Sequence, residues 1–270
     1  MIIIRGAGDI STGTIHRLFR AGFPVLALET ERPTAIRRRV AFSEAVYDGW
    51  ATVEGVTAIR IDSVEQAKGT LAEGNVPLLV DPAGESIRTL KPAVVVDAIL
   101  AKKNCGTSVD MAEMTIALGP GFEAGRDAHY VIETMRGHDL GRIITKGFAT
   151  PNTGIPGVIG GYGAERVIHS PADGVFEQQR EIADEVQEGD IIGTVITGDR
   201  IVPVYSRIAG ILRGIIRDGY PVTKGFKLAD VDPRLEEKKN CFTISDKARC
   251  IAGSVLELVT AFSRPGKAVD

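Results

Sequence analysis

The stretch that most restricts how this chain can fold is IRGAGDISTG, residues 4–13. The apolar run MIII leads into Gly6 and Gly8, and a segment with helical spacing follows. A buried strand, a tight turn and a helix whose first amides face a phosphate form the start of a dinucleotide-binding unit. The stretch therefore predicts an α/β fold that begins with a strand, a glycine turn and a helix.

Two residues of this turn depart from the dinucleotide-binding pattern. Ser11 stands where G-x-G-x-x-G has its third glycine, and Asp9 directly follows Gly8. An ionised carboxylate beside a pyrophosphate repels it, whereas an aspartate that caps an empty helix stabilises it by roughly 0.5–2 kcal/mol. We expect Gly6 and Gly8 to approach a phosphate-bearing ligand while the Asp9 carboxylate turns back onto the helix amides. A turn that keeps its shape without a ligand is the alternative.

The next predicted strand, FPVLALE, ends in Glu29, which lies 21 residues after Gly8. In dinucleotide-binding folds, an acidic residue about 20 positions after the turn binds the ribose of the nucleotide. A solvated charge at the end of a strand explains Glu29 equally well. Glu29 is therefore a candidate cofactor-binding residue with a structural alternative.

Strand and helix segments alternate along the first part of the chain, in VTAIRI, SVEQAKGTLAEG, VPLLVDP and AVVVDAIL. This order predicts a parallel sheet with helical crossovers, and so a Rossmann-like α/β domain over residues 1–150. The glycine- and proline-rich stretch ATPNTGIPGVIGGYG then marks a boundary. We expect a small β domain over residues 151–235 and, over 236–270, a helix that packs back onto the first domain.

The second part of the chain contains a repeat with an offset of 36 residues. SPADGVF aligns with SRIAGIL, and VQEGDIIGTV aligns with VTKGFKLADV, so that Ser170 matches Ser206 and Gly174 matches Gly210. Two strand-turn-strand units of this kind bury their apolar faces only against each other. The motifs resemble the barrel-sandwich hybrid domains that carry biotin or lipoate. The connecting stretch ITGDRIVPVY has no lysine, so we expect no covalent prosthetic group and favour a docking or assembly role.

A glycine-rich middle segment holds further candidates for an anion or cofactor site. TIALGPG predicts a strand that ends in a turn at Gly119 and Gly121, whose backbone amides could cradle an anion. The strand HYVIET then leads into MRGHDLGR, where Arg136, His138 and Arg142 could supply groups that bind phosphate. We expect these three side chains to lie at the same sheet edge as the first glycine turn.

The alternative for the middle segment is a solvated turn without a ligand. Its cationic side chains would then pair locally with Asp127, Glu133 and Asp139. The run RRR at 37–39 has the same two interpretations, since it could steer an anionic ligand or be ordinary surface charge.

Composition excludes several classes of protein. With a net charge of −3 and 6% aromatic residues, the chain has no basic surface for nucleic acid. No apolar run reaches the roughly 18–20 residues of a membrane helix, and MIIIRG is too short for a secretory signal. Cys105, Cys241 and Cys250 form no C-x-x-C pair, so neither a disulfide framework nor a metal site is expected. We expect a cytoplasmic protein and expect Cys105 to be inessential, although its two lysine neighbours could activate the thiol.

Several of these stretches together resemble a known family. RGAGDISTGTIHRLFRAG, ETERPTAIRRRVAFSEAVYDG, ALGPGFEAG, VIETMRGHDLGR, SPADGVF and GFKLADVDPR are similar to the YqeB family of selenium-dependent molybdenum hydroxylase system proteins. The resemblance runs from Met1 to about Val259. It implies an accessory role in maturing, or supplying cofactor to, a selenium-containing molybdenum hydroxylase, and it assigns no catalytic residues. A weaker, fold-level similarity links the chain to XdhC-type proteins that bind molybdenum cofactor.

The sequence thus predicts an accessory protein whose partners are a molybdenum hydroxylase or its maturation factors. Its expected ligand is a small phosphate-bearing molecule, with NAD(P) or molybdenum cofactor as the candidates, and a homo-oligomer is possible. The first alternative is an NAD(P)-dependent oxidoreductase that uses Gly6, Gly8 and Glu29, for which no hydride-transfer partner is recognised in the sequence. The second alternative is a structural adaptor without a small ligand.

Overall fold

The computed structural model describes residues 1–154 and 156–263, which form two units. The sheet unit comprises Met1–Pro33, Ala41–Thr153 and Ile244–Asp270, and the repeat unit comprises Thr34–Val40 and Gly154–Thr243. This division differs from the expected one because residues 34–40 and 236–243 lie in the repeat unit. Residues 264–270 of the expected C-terminal segment lie outside the described residues.

The sheet unit is built on a nine-stranded mixed sheet with short helices between its strands. The strand order is β10-β9-β7-β6-β1-β2-β5-β4-β3, and β8 pairs separately with β11. The strands are β1 (Ile2–Arg5), β2 (Val25–Glu29), β3 (Trp50–Val53), β4 (Val56–Ile61), β5 (Val76–Val80), β6 (Val94–Asp97), β7 (Met114–Leu118), β8 (Glu123–Ala124), β9 (Tyr130–Ile132), β10 (Ile143–Ile144) and β11 (Gly147–Phe148). The helices are α1 (Asp9–Arg20), α2 (Ala45–Asp48), α3 (Ala67–Ala72), α4 (Glu85–Leu90) and α5 (Asp246–Phe262).

The centre of the sheet is parallel, which confirms the predicted mixed α/β class. Strand β1 lies between β2 and β6, with Ile3 paired to Leu26 on one side and to Val95 on the other. All three side chains are fully buried. Parallel strands covered on both faces have continuous apolar sequences such as III and VVV, because neither face meets water. Only the outermost strands β3 and β10 pair antiparallel with their neighbours.

Helix α5 packs on α1, which explains the small residues where the two helices meet. A Cβ atom at Gly13 would lie 2.8 Å from the Cβ of Ala248, and one at Gly253 would lie 3.5 Å from an Arg17 nitrogen. The contacts advance along both chains in the same direction, so the helices are parallel. Their N-terminal ends are therefore neighbours, and Ser245 caps α5 by accepting a hydrogen bond from the Ala248 amide at 3.2 Å.

The repeat unit consists of two four-stranded antiparallel sheets, with strand orders β12-β19-β17-β14 and β16-β15-β13-β18. The strands are β12 (Val167–His169), β13 (Gly174–Gln178), β14 (Glu185–Val186), β15 (Ile191–Thr197), β16 (Arg200–Tyr205), β17 (Gly210–Ile215), β18 (Tyr220–Val222) and β19 (Lys227–Asp232). Their inner side chains form one apolar core, centred on Phe176, Ile211 and Leu228.

The two copies of the repeat are joined by reciprocal hydrogen bonds. The Ser170 carbonyl of the first copy accepts from the Gly225 amide of the second, and the Ser206 carbonyl accepts from the Gly189 amide, each at 2.9 Å. Strand β13 pairs with β18 of the other copy, just as β17 pairs with β14. Each copy therefore completes the sheet of the other, as expected for two units that cannot bury their faces alone.

The run RRR was predicted either to steer an anionic ligand or to be ordinary surface charge. Neither role describes it fully, because two of its arginines form hydrogen bonds within the repeat unit. Arg37 is only 8% exposed and donates to the Asn240 carbonyl at 3.0 Å. Arg38 donates to the Ile215 carbonyl at 2.9 Å. These bonds tie residues 34–40 to the repeat unit.

Candidate functional site

The first glycine turn has the predicted position between β1 and α1, but a neighbouring loop covers its first half. Gly6 has φ +98°, and a Cβ there would lie 2.8 Å from the Ala98 carbonyl oxygen and 3.1 Å from the Ile99 Cα. Glycine is therefore required at this position both for its backbone angle and for the close approach of the loop. In this half of the turn, protein backbone occupies the space that a ligand would need.

The covering loop, residues 98–108, is fixed to the sheet by a buried polar network that the sequence analysis missed. Arg5 donates to the Thr107 hydroxyl at 2.5 Å, and this hydroxyl donates to an Asp97 carboxylate oxygen at 2.5 Å. Arg5 also donates to the Cys105 carbonyl at 3.2 Å. Burial raises the pKa of Asp97, while the bonds from Thr107 and the charge of Arg5 oppose that shift. The sequence indicated this network only by placing Arg5 and Asp97 at the ends of two predicted strands.

The second half of the turn is open. Gly8 is the N-cap residue of α1, with φ −65°, and in the described part of the chain no heavy atom outside its sequence neighbours lies within 4 Å of a Cβ built there. Asp9 is the first residue of the helix, which begins directly after the N-cap residue Gly8. An acidic residue in the first turn stabilises the positive end of the helix dipole.

Glu29 lies beside the turn, and its carboxylate is used within the protein. One oxygen accepts the Ala7 amide at 2.8 Å, and the other accepts the Thr30 amide at 2.8 Å. Burial raises the pKa of Glu29, and these two hydrogen bonds oppose the rise. A phosphate could take the Ala7 amide only by displacing the Glu29 oxygen.

The Gly119 and Gly121 turn is filled by protein. A Cβ at Gly119, with φ +84°, would lie 2.7 Å from the Thr134 hydroxyl oxygen. A Cβ at Gly121, with φ +107°, would lie 2.6 Å from the Lys103 Cα, in the same 98–108 loop. Close packing is thus a sufficient reason for both glycines.

The charged side chains of the middle segment are distributed over different surroundings. Arg136 forms a bidentate ion pair with Asp246 of α5, at 2.7 and 2.8 Å. Arg142 pairs locally with Asp139 at 2.7 Å, which is the solvated arrangement described as the alternative. His138 is exposed. Within residues 1–154 and 156–263, Arg136 is the one of these three whose ion pair joins the middle segment to helix α5.

Lys247, in the first turn of α5, brings the glycine turn and the middle segment together. Its side chain is half-buried, and burial lowers its pKa, as does the nearby Arg136 guanidinium. The carboxylates of Asp9, Glu133 and Asp246 oppose this shift. The five side chains form what we call the helix-end cluster. The sequence analysis missed Lys247, for which the only signal was its place after Ser245 and Asp246 at a helix start.

Glu133 is the buried member of the helix-end cluster. It is 4% exposed, and its two oxygens accept the Met135 amide at 2.7 Å and the Thr150 amide at 2.8 Å. Burial alone would raise its pKa, but the hydrogen bonds outweigh burial and hold the pKa below its ordinary value. Glu133 therefore supplies a fixed negative charge near the Lys247 ammonium.

The cysteines do not form a site in the described residues. Cys105 and Cys250 are exposed, whereas Cys241 is buried, and burial raises the pKa of its thiol. Residues 1–154 and 156–263 contain no group of three or more His, Cys, Asp or Glu side chains that could hold a metal ion. In the same residues, no helix is long and apolar enough to span a membrane.

These features define an α/β protein with a glycine turn at the carboxyl edge of a parallel sheet and a β unit built from two repeats. The chain is 48% identical over 266 residues to the uncharacterized protein YqeB of Escherichia coli (strain K12). The match covers 98% of this chain and 48% of that protein, so the chain spans about half the length of this curated relative. The similarity supports the predicted relationship to the YqeB family. No family model matches the chain.

Solved structures show only weak likeness. An aspartoacylase family protein from Mesorhizobium loti has 14% identity and a TM-score of 0.26, over 82% of this chain and 60% of that one. The ectoine utilization protein EutE from Ruegeria pomeroyi has 14% identity and a TM-score of 0.28, over 85% of this chain and 84% of that one. At these scores, neither likeness extends to the fold or function of this chain.

Proposed function

We propose that the open half of the glycine turn, together with the helix-end cluster, binds a small phosphate-bearing ligand, either a nucleotide or molybdopterin. We further propose that the protein acts as an accessory in the maturation or cofactor supply of a selenium-dependent molybdenum hydroxylase. The observation that carries the ligand site is the empty space at Gly8, where α1 begins beside Lys247 and Arg136.

The helix-end cluster is more favourable for binding an anion than the formal charges of its side chains indicate. Three carboxylates face two cations, but the parallel helices α1 and α5 both direct their positive ends to this place. Each helix end carries about half a positive charge, and in α5 the Ser245 hydroxyl already accepts the Ala248 amide. An incoming phosphate would accept from the Gly8 amide, where α1 begins, and from the Lys247 ammonium, with Arg136 held in place by Asp246.

The accessory role rests on the resemblance of the motifs quoted above to the YqeB family, and the 48% identity supports the relationship to that family alone. Two finer fold assignments belong to the same proposal. The strand, glycine turn and helix at the start of a parallel sheet support a Rossmann-like domain. The paired copies of the 36-residue repeat support a barrel-sandwich hybrid, for which the lysine-free β15–β16 hairpin predicts docking rather than group transfer.

Calorimetric titration tests the ligand site. We would titrate the purified protein with ATP, NAD⁺, NADP⁺ and pyrophosphate, and repeat any positive titration with Lys247→Met and Arg136→Ala. Loss of one charge-assisted hydrogen bond weakens binding by roughly 10- to 100-fold. The control variants are Lys68→Met, on the exposed face of α3, and Arg126→Ala, an exposed arginine that pairs locally with Glu123 and Asp127. Equal losses in the site and control variants would contradict the site.

A cellular experiment tests the accessory role separately. We would delete the gene in its host, measure the activity and the molybdenum and selenium content of the host's molybdenum hydroxylase, and complement with the same variants. The proposal predicts a hydroxylase that is made in normal amount but lacks its cofactor. A fully loaded and active hydroxylase in the deletion strain would refute the role without affecting the ligand site.

A second candidate function, NAD(P)-dependent oxidoreduction, is favoured by one observation. Glu29 lies at the end of β2 and contacts the glycine turn through Ala7, which is the place where a ribose-binding acid is needed. This function requires NAD⁺ or NADP⁺ to bind far more tightly than pyrophosphate, and Glu29→Gln to weaken the dinucleotide alone. If no phosphate compound binds, the ligand-free adaptor is the remaining alternative.

A further inference from the structure

A cleft of about 790 Å³ lies elsewhere on the sheet unit, between α4 and residues 106–113. Its floor contains Ile87 of α4 and, from the facing segment, Met111 and Ala112. Ile87 is a member of a buried core cluster, and both facing residues pack against that cluster. The floor is therefore apolar and rigid, because it is continuous with the packed interior.

The two walls of the cleft carry different charges, since the α4 side has two cations beside Glu85 and the facing segment has two carboxylates. Arg88 and Lys91 are three residues apart on α4 and its C-cap, so they lie on the same face of the helix. Asp110 and Glu113 lie on the facing segment. Among residues 1–154 and 156–263, no ion pair within 4.0 Å joins these cations to any carboxylate. The charges of both walls are thus available to a ligand.

The backbone at one end of the cleft has a conformation that side chains rarely adopt. Lys91 ends α4 with φ +44°, in the left-handed region, where helices commonly have glycine. At the other end, Gly84 packs against Arg5, because a Cβ there would lie 3.6 Å from the Arg5 Nε. The buried network of Arg5, Thr107 and Asp97 thus fixes residues next to the cleft on both sides, since Thr107 lies between the lining residues Gly106 and Ser108.

We propose that this cleft binds a small zwitterion with an apolar body, of the size of an amino acid or dipeptide. Its carboxylate would contact Arg88 and Lys91, its ammonium group would contact Asp110 and Glu113, and its apolar part would lie on Ile87 and Met111. Ligand sites are typically about 300–1,000 Å³, with an apolar lining and few charged groups that fix orientation. The proposal does not depend on the phosphate site, with which it shares no residue.

NMR titration of the ¹⁵N-labelled protein tests this proposal with leucylleucine as the probe. We expect saturable shifts of the amides of Gly84, Ile87, Ser108 and Met111. The matched compound is N-acetyl-leucylleucine amide, which has the same apolar body without either charge. It should bind at least about tenfold more weakly, because it loses a charge-assisted hydrogen bond at each end.

Three variants complete the test. Arg88→Gln and Asp110→Asn should each weaken leucylleucine binding about tenfold, since each removes one charge and keeps a side chain of similar size. Arg20→Gln, at the exposed end of α1, should leave binding unchanged. Spectra outside the cleft show that each variant is folded. Absence of a saturable shift, or equal binding of the capped compound, would overturn the proposal.

Discussion

The two glycine turns of the sheet unit look alike in the sequence and differ in the space around them. At Gly8, no atom lies within 4 Å of the position of a Cβ, whereas at Gly121 the Lys103 backbone lies 2.6 Å from it. Both turns were predicted to receive an anion. The structure leaves room for one only at Gly8, because loop 98–108 packs on the other turn.

The difference shows that a glycine can be required for two unrelated reasons. At Gly121, the positive φ and the close backbone explain the residue completely. At Gly8, neither reason applies, since φ is −65° and the space is empty. The backbone angle and close packing therefore do not explain Gly8, which is the N-cap residue of α1.

The largest expected effect is the loss of stability when loop 98–108, which packs on both Gly6 and Gly121, is released from the sheet. Arg5→Met removes the partner of buried Asp97 and leaves its carboxylate uncompensated, which typically costs about 3–5 kcal/mol. Urea unfolding should show this loss, and hydrogen exchange should show faster exchange throughout residues 98–108. An unchanged exchange rate in the loop would mean that Arg5 does not hold it in place.

The second-largest effect is a loss of stability that should be greater at the filled turn, Gly121, than at an open turn, Gly22. Gly121→Ala should cost about 2–4 kcal/mol, because a left-handed residue and a backbone clash are combined. The control is Gly22→Ala, where φ is +88° and nothing lies within 4 Å, so only about 1–2 kcal/mol should be lost. If urea unfolding showed the same loss of unfolding free energy for both variants, the claim that protein fills the Gly121 turn would be wrong.

At the open turn, substitution should affect binding more than stability. Gly8→Val should cost at most about 1 kcal/mol of stability, since an N-cap glycine is replaced without a clash. The substitution should weaken the binding of a phosphate-bearing ligand at least about tenfold, because the branched side chain fills the space that the ligand would occupy. Gly69→Val, on α3 with equally empty surroundings, is the control that should leave binding intact. A large loss of stability for Gly8→Val would show that its space is not free.

The smallest effect concerns the pH dependence at Lys247. Its folded-state pKa lies below 10.5, so the folded protein binds fewer protons than the unfolded chain between the two pKa values. Stability conferred through this group therefore rises with pH across that window and is lowest below the folded pKa. The difference in unfolding free energy between wild type and Lys247→Met should increase towards pH 10.5. A constant or falling difference would contradict the half-buried placement of Lys247.

Local patterns in the sequence were sufficient for several elements of the first unit. The apolar runs of β1, β2, β5 and β6 and the helical spacing of α1 were read correctly because burial imposes them residue by residue. The repeat was visible for the same reason, as an offset of 36 residues.

The arrangement of the site could not be predicted in the same way. The partner of Arg136 is Asp246, 110 residues away, and the residues that fill the Gly121 turn belong to the loop after β6. These contacts depend on strand order and on the packing of α5, which no local pattern specifies. Lys247 was missed because its role depends on three segments that meet only in the folded chain.

Native mass spectrometry of the protein purified from its own host, compared with Gly8→Val purified in the same way, tests the central claim most directly. The account predicts that the wild type carries a phosphate-bearing ligand and that the folded Gly8→Val variant does not. A wild-type protein with no bound ligand that also fails to take up ATP, NAD⁺, NADP⁺ or molybdopterin would contradict the claim. Equal occupancy in the two proteins would place the ligand elsewhere and contradict it as well.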